Sequence, residues 1–144
     1  MTKNKSRNYG DKESRRRRAL ERFGTDNPKC LLTGEDNPVA LHLHHVAGHR
    51  YDDVVVPVSL TVHAKASDLQ KDHPDKIEGC KNPLEDIGHL LLGLGDMLEV
   101  VIDDLRDPLL ADFLTWLRLK LNEIGVLLIE FARRAPTMEF GIAP

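Results

Sequence analysis

Five of the chain's seven histidines fall within residues 42–63, and the pattern around them constrains the fold more than any other part of the sequence. Residues 39–46 alternate well enough to predict a strand. Residues 54–58 are β-branched apart from Pro57 and predict a second strand, and a helix is predicted over 62–71. Because only a short loop around Gly48 joins the strands, we expect them to pair antiparallel and to bring both ends of the segment together.

The histidines at the ends of this segment are placed to form a chemical site. His44 and His45 end the first predicted strand, and His63 stands at the start of the predicted helix. Imidazole acts both as a metal ligand and as a general base near neutral pH. Adjacent strand residues point to opposite faces, so His44 and His45 cannot both bind one ion without distortion. The pattern therefore predicts a small metal-dependent hydrolytic site.

Length and composition favour a single globular domain. The chain has 144 residues, 41% of them hydrophobic, and no apolar run approaches the roughly 18 residues that a membrane span needs. No apolar segment follows the N-terminal charges, so a secretory signal is not expected. Two cysteines, Cys30 and Cys80, are too few for a disulfide scaffold, and we expect a cytoplasmic protein without membrane contact.

The net charge of −3 hides a basic N-terminal arm. Residues 1–29 carry ten Lys or Arg and four Asp or Glu, whereas residues 30–144 carry ten and nineteen. A short helix is predicted over 11–23, with Arg15, Arg18 and Arg22 on one side of it. The arginines expected to contact a polyanionic partner are Arg15, Arg16, Arg17, Arg18 and Arg22. The arm therefore favours nucleic acid as a partner, and a solvated, frayed tail is the alternative.

The last third of the chain has a helical pattern of its own. Asn82-Pro83 and Asp107-Pro108 are typical helix starts, with a capping side chain followed by proline. After each start, apolar residues recur at spacings of three and four, and we call these positions the seam: Leu84, Ile87, Leu91, Leu94, Leu98, Val101 and Leu105, then Leu110, Leu114, Leu117, Leu121, Ile124, Leu128 and Phe131. The pattern predicts an antiparallel helical hairpin.

The hairpin is too apolar to stand alone. Further large side chains, among them Leu92, Trp116 and Ile129, lie off the seam and widen the apolar surface. Such a belt must be covered by the N-terminal half of the chain or by another subunit. We hypothesise a homodimer through the hairpin, and packing within one chain is the alternative.

The histidine segment as a whole resembles a known family. The run His44-His45-Val46-Ala47-Gly48 is followed by Asp52, Val56-Pro57, His63 and the stretch 67–74. This order resembles the HNH endonucleases, which are ββα-metal or His-Me finger nucleases. The expected fold class is α+β, divided into four parts: a basic arm at 1–28, an HNH core at 29–75, the hairpin at 76–136 and a tail at 137–144.

The resemblance implies a role for each of three histidines. His44 and His63 would bind a divalent metal ion, with magnesium as the default and manganese, nickel or zinc left open. His45 would be the general base that activates the attacking water. The substrate would be a phosphodiester bond, in DNA by preference, although RNA is left open.

The chain departs from the family at the position of its middle asparagine. That residue usually lies nine positions before the last histidine, and Val54 stands there in this chain. Asp52, Asp53 or a backbone carbonyl would have to replace it. Ser67 occupies the position where some relatives have a further ligand. These departures leave open a catalytically degenerate HNH relative that binds nucleic acid or acts as a scaffold.

A zinc ribbon is not expected, because Cys30 alone remains of the family's four cysteines. Apolar contacts from Leu32, Val58 and Val62 would have to replace the structural zinc. Residues 30–34 are expected to form a tight turn.

The remaining histidines have less specific readings. His49 and Arg50 lie in the loop over the site, where contact with phosphate oxygens and simple solvent exposure are both open. His42 is expected on the strand surface or packed against a helix, with use as a ligand the less favoured alternative. His73 is expected to cap the helix end before Pro74, and His89 is expected to be structural.

Overall fold

The computed structural model describes residues 11–51, 53–75 and 82–135. Within these ranges the chain is an α+β structure with four α-helices and one two-stranded antiparallel sheet. The elements are α1 (Lys12–Glu21), a short 3-10 helix (Pro38–Ala40), β1 (Leu41–His45), β2 (Val55–Ser59), α2 (Leu60–Leu69), a second 3-10 turn (Gln70–Asp72), α3 (Pro83–Asp103) and α4 (Pro108–Arg134).

The two strands pair antiparallel, as predicted, with Leu43 opposite Pro57. The connecting loop is closed by a hydrogen bond of 3.1 Å from the Val46 N–H to the Val54 carbonyl. Gly48 has a φ of 90° in this loop, a left-handed conformation that favours glycine. The chain therefore returns directly beside His45.

The element limits differ from the predicted ones by one or two residues. Residues 39 and 40 belong to a 3-10 turn rather than to β1, because the Asn37 side chain accepts a hydrogen bond from the Val39 N–H at 3.2 Å. α2 begins at Leu60 rather than at residue 62, because the Ser59 side chain caps the helix by accepting from the Val62 N–H at 3.3 Å. Helix therefore follows strand without a loop, which ties the position of α2 to the sheet.

Burial along β1 does not follow the simple alternation that the sequence predicts. Leu41 is fully buried, but Leu43, two residues along, is 37% exposed. His44 is buried although its strand neighbours Leu43 and His45 are not. A two-stranded ribbon twists strongly, so residues two apart need not meet the same neighbours.

The core joins the sheet, α2 and α3. Its buried members are Cys30, Leu41, Val58, Val62, Ala66, Met97 and Val100. Leu32 packs against this cluster together with three other partly buried side chains, so the expected contacts of Leu32, Val58 and Val62 are present. The tight turn at 30–34 is also present, with the Gly34 N–H donating to the Cys30 carbonyl at 3.0 Å.

The long helices α3 and α4 form the predicted hairpin. Asn82 and Asp107 cap them by accepting hydrogen bonds of 3.0 Å from the N–H groups of Leu84 and Leu110. The helices approach closely through glycine, since a Cβ atom at Gly88 would lie 2.7 Å from the Gly125 carbonyl oxygen. None of the helices in the described ranges is long and apolar enough to cross a membrane.

The buried contacts of the hairpin differ from the seam that its spacing suggested. Leu92 and Ile129, which lie off the seam, are 5% and 1% exposed. Seam residues such as Leu94 and Phe131 are 40% and 48% exposed. The small residues Gly88 and Gly125 explain the difference, because they allow the helices to pack through a neighbouring face.

Candidate metal and nucleic-acid site

His44 and His63 lie side by side. His44 is the last but one residue of β1 and His63 is in the first turn of α2. Their ring centroids are 5.4 Å apart and the rings are nearly perpendicular, at 87°. Two imidazoles that share one ion at about 2.1 Å have ring centroids roughly 5–6 Å apart. The pair therefore has the spacing of two ligands to one metal ion.

Both imidazoles are kept neutral by their surroundings. Burial lowers the pKa of His44 to about 4, and repulsion from His63, His45 and His49 adds to the effect. Burial also lowers the pKa of His63, with further repulsion from His42 and His49. A histidine must be neutral to bind a metal ion. At neutral pH both rings therefore have a nitrogen lone pair available.

Ser67 supports the ring of His63 one helical turn later. Its Oγ lies 3.5 Å from Nδ1 of His63. A partner at Nδ1 fixes the ring and leaves Nε2 for a ligand, an arrangement typical of metal-binding histidines. Ser67 therefore lies where a supporting role was expected, and its contact is with the ring.

His42 also belongs to this cluster. It is half-buried, and its ring centroid lies 5.4 Å from that of His63 in α2, as expected for packing against a helix. Across residues 11–51, 53–75 and 82–135, however, no three His, Cys, Asp or Glu side chains are grouped closely enough to hold a metal ion. The residues present fit an ion held by two imidazoles, with its other positions open to water and substrate oxygens.

Gln70 holds the backbone of the site. Its Nε2 donates to the carbonyl oxygens of His45 at 2.9 Å and Val46 at 2.8 Å, and it lies 3.4 Å from Nε2 of His44. Gln70 was not among the site residues predicted from the sequence. It could have been predicted from its position seven residues after His63, which places both residues on one face of a helix.

Gly93 of α3 meets the same piece of backbone from another direction. A Cβ atom at this position would lie 1.7 Å from the Val46 carbonyl oxygen. No side chain larger than hydrogen fits there without moving α3 or the loop. The peptide that follows His45 is therefore held between Gln70 and Gly93.

His45 has different neighbours from His44. Its ring centroid lies 3.8 Å from that of the exposed His49, with the rings tilted by 40°. His45 itself is half-buried. The two adjacent histidines thus have separate ring partners, His63 and His49, as expected for neighbouring residues on a strand.

The residues expected to replace the family's asparagine are only partly visible. Asp53 is exposed, and Asp52 lies outside the described residues, as does Cys80. Val54, at the asparagine position, has a side chain that is 44% exposed, and its carbonyl accepts the hydrogen bond that closes the loop. The loop is therefore closed by a backbone hydrogen bond.

A cleft of about 330 Å³ opens beside the loop. His49, Arg50 and Lys71 contribute positive or titratable groups to its wall, and Gln70 also lines it. Arg50 and His49 are both exposed. The cleft thus combines basic side chains with the residue that holds the His45 carbonyl.

The far wall of the cleft is fixed to α3 by two ring contacts. Tyr51 stacks on the buried His89, with centroids 3.6 Å apart and an angle of 16°. His73 lies 2.8 Å from Asp96 at ion-pair distance, although without the direction of a good hydrogen bond. His89 is thus packed between Tyr51 and the rest of α3. His73 lies at the end of the 3-10 turn, as expected, and its N–H donates to the Gln70 carbonyl at 3.2 Å.

Four arginines of the arm lie on α1, and Arg22 is the residue that caps its C-terminus. Arg15, Arg16, Arg17, Arg18 and Arg22 are all exposed. Arg15, Arg18 and Arg22 line one shallow depression together with Ala19 and Val39. The predicted common face of these three arginines is thus present.

The chain was compared with protein-family models, curated proteins and solved structures, and none of them matches it.

Proposed function

We propose that the chain is a metal-dependent endonuclease of the HNH type that hydrolyses phosphodiester bonds, with DNA as the preferred substrate. The observation that carries the proposal is the perpendicular pair of neutral imidazoles, His44 and His63, at 5.4 Å. It stands on the same strand–strand–helix segment that carries the sequence resemblance.

His44 and His63 would hold the metal ion. Magnesium is the default, and two imidazole ligands also suit manganese, nickel or zinc. When bound, such an ion supplies charge stabilisation to the phosphate and to the leaving oxygen. The lowered pKa values of both rings favour this role, because protons do not compete for their nitrogens near neutral pH.

His45 would act as the general base. Its imidazole takes a proton from water, the water oxygen attacks phosphorus, and the bond from phosphorus to the 3′-oxygen breaks. Gln70 and Gly93 support this role by fixing the backbone at and after His45. A base held in one orientation is worth more than a mobile one, because proton transfer needs hydrogen-bond geometry.

Nucleic acid would be held by contacts to its backbone. His49, Arg50 and Lys71 line the cleft beside the His45 loop, where a phosphate group would meet positive charge. The arginines of α1 would add contacts along the strand. Contacts of this type fix position and affinity and do not read sequence.

A catalytically degenerate, DNA-binding scaffold is the second candidate. It is favoured by Val54, whose half-exposed apolar side chain replaces the family's asparagine. The basic surfaces of α1 and of the cleft would serve this function equally well.

Plasmid nicking separates the two candidates. The wild-type protein should convert supercoiled DNA to the nicked or linear form with added magnesium or manganese, and EDTA should stop the reaction. His45→Ala, purified in the same way, should bind DNA but lose cleavage. Binding without cleavage by the wild type, across all four candidate metals, would favour the scaffold.

A further inference from the structure

The seam of the hairpin is only partly covered in the described part of the chain. Of its fourteen residues nine are half-buried, five are exposed and not one is buried. Those with the greatest exposure are Ile87 at 45%, Leu94 at 40%, Leu110 at 44%, Ile124 at 47% and Phe131 at 48%. Large apolar side chains at regular helical spacing are normally buried.

The other faces of α3 already have partners. On α3, Gly93, Met97 and Val100 are buried toward the sheet, and Gly88 contacts α4. By helical periodicity the α3 seam lies on the side away from the sheet. The α4 seam lies next to Gly125 and Ile129, its contacts with α3, so the two seams form one continuous face.

The exposed apolar area is large enough for a stable interface. Beside the five most exposed seam residues, the other nine are half-buried and add to the same face. If the five present about half and the nine about a fifth of roughly 150 Å² each, the face amounts to roughly 650 Å². A standard interface needs roughly 600–1,000 Å² from each partner.

We propose that this face is covered by a second copy of the chain, so that two hairpins form a four-helix bundle with the seams at its centre. The spacing of three and four along both helices is the pattern of bundle cores. A face that is itself one half of such a core can serve both partners of a two-fold symmetric dimer.

The charges of the hairpin are consistent with this arrangement. All fourteen seam positions are Leu, Ile, Val or Phe, so no charge would enter the centre of the bundle. Neighbouring charges are already paired within the chain, as in Arg118 with Glu99 at 2.7 Å and Lys120 with Glu123 at 2.6 Å. Pairing of two copies would therefore leave no new charge without a partner among these four residues.

Light scattering on matched glutamate variants tests the proposal. The wild type should have twice the chain mass of 16.2 kDa. Leu121→Glu and Ile124→Glu place a charge on the seam and should raise the dimer dissociation constant at least about 30-fold. Leu119→Glu is the control, because Leu119 is on the same helix and 55% exposed but lies off the seam. It should remain a dimer, and circular dichroism should show that all variants are folded.

Three outcomes would overturn the proposal. The first is a monomeric wild type at about 100 μM. If removal of residues 136–144 then produced a dimer, the chain's own C-terminal segment would be the cover of the face. The second outcome is a dimer that Leu119→Glu dissociates and Leu121→Glu does not. The third is folded, dimeric Ile124→Glu and Leu121→Glu with unchanged dissociation constants.

Discussion

Gly93 in α3 lies directly against the carbonyl oxygen of Val46, so that a Cβ atom at position 93 would be 1.7 Å from this oxygen. The same oxygen accepts a hydrogen bond from Gln70 at 2.8 Å. The backbone that follows the candidate base His45 is thus fixed by two helices that come from different parts of the sequence. The long hairpin helix is therefore part of the support of the site.

Gly93→Ala should destabilise the protein and disturb the loop at Val46. The added methyl group meets backbone rather than a movable side chain, and such overpacking costs about 1–3 kcal/mol. Gly95→Ala is the matched control, because its Cβ would meet only the tip of the Asn122 side chain. Urea unfolding should show a clear loss of unfolding free energy for Gly93→Ala and a smaller loss for Gly95→Ala. Equal losses of unfolding free energy would show that the contact with Val46 does not set the cost of the added methyl group.

Gln70→Met should reduce stability by about 1–3 kcal/mol, because the His45 and Val46 carbonyls lose their donor. Gln70→Glu should reduce stability further, since its carboxylate would lie against the same two carbonyl oxygens and repel them. Lys71→Met is the control, because Lys71 is exposed and its ion pair with Asp68 is at the surface. Chemical unfolding compares the three variants. A Lys71→Met loss as large as that of Gln70→Met would contradict the positioning role.

Stability without metal should fall as the pH is lowered from about 6.5 to about 4. The folded protein keeps His44 neutral, with a pKa of about 4, whereas the unfolded chain binds a proton near the ordinary value of 6.5. Protonation therefore favours the unfolded state within this window, by about 3 kcal/mol for His44 alone. The lowered pKa of His63 acts in the same direction.

Denaturant unfolding in EDTA across this pH range measures the effect. The glutamine in His44→Gln cannot be protonated. The free energy of unfolding of this variant should therefore change less with pH, and the remaining change should come from other groups. If the free energy of unfolding changes equally with pH in the wild type and in His44→Gln, His44 is not held neutral by the fold.

Replacing Arg15, Arg18 and Arg22 by glutamine should weaken DNA binding and reduce its salt dependence. Each phosphate contact contributes about 0.9 to the slope of log affinity against log salt, so three lost contacts lower it by up to about 3. Arg106→Gln, an exposed arginine outside the arm, is the control. A triple variant with an unchanged slope would remove α1 from the binding surface.

The local patterns of the sequence predicted the elements well. Alternation and β-branching found the two strands, and the pairs Asn82-Pro83 and Asp107-Pro108 located both long helices, because capping depends on residues next to each other. The start of β1 and the start of α2 were predicted one or two residues away from their observed positions, because both depend on the capping side chains of Asn37 and Ser59.

Contacts between distant parts of the chain could not be read in the same way. The contact of Gly93 with Val46 could not be predicted from the sequence, because it depends on how α3 packs on the sheet. The seam spacing did not reveal which face is buried, since the hairpin carries several apolar stripes. Only the packing of Gly88 on Gly125 decides between them.

The proposed function requires unequal roles for His45 and His63. Metal titration followed by cleavage at saturating metal measures both roles at once. His45→Ala should bind metal with nearly wild-type affinity and cleave roughly 10²–10⁴-fold more slowly, the usual loss for a general base. His63→Ala should bind metal weakly, and excess metal should restore part of its rate. If His45→Ala loses metal while His44→Ala keeps it, the roles of the adjacent pair are reversed. Cleavage at the wild-type rate by His44→Ala, His45→Ala and His63→Ala would contradict the assignment of activity to this site.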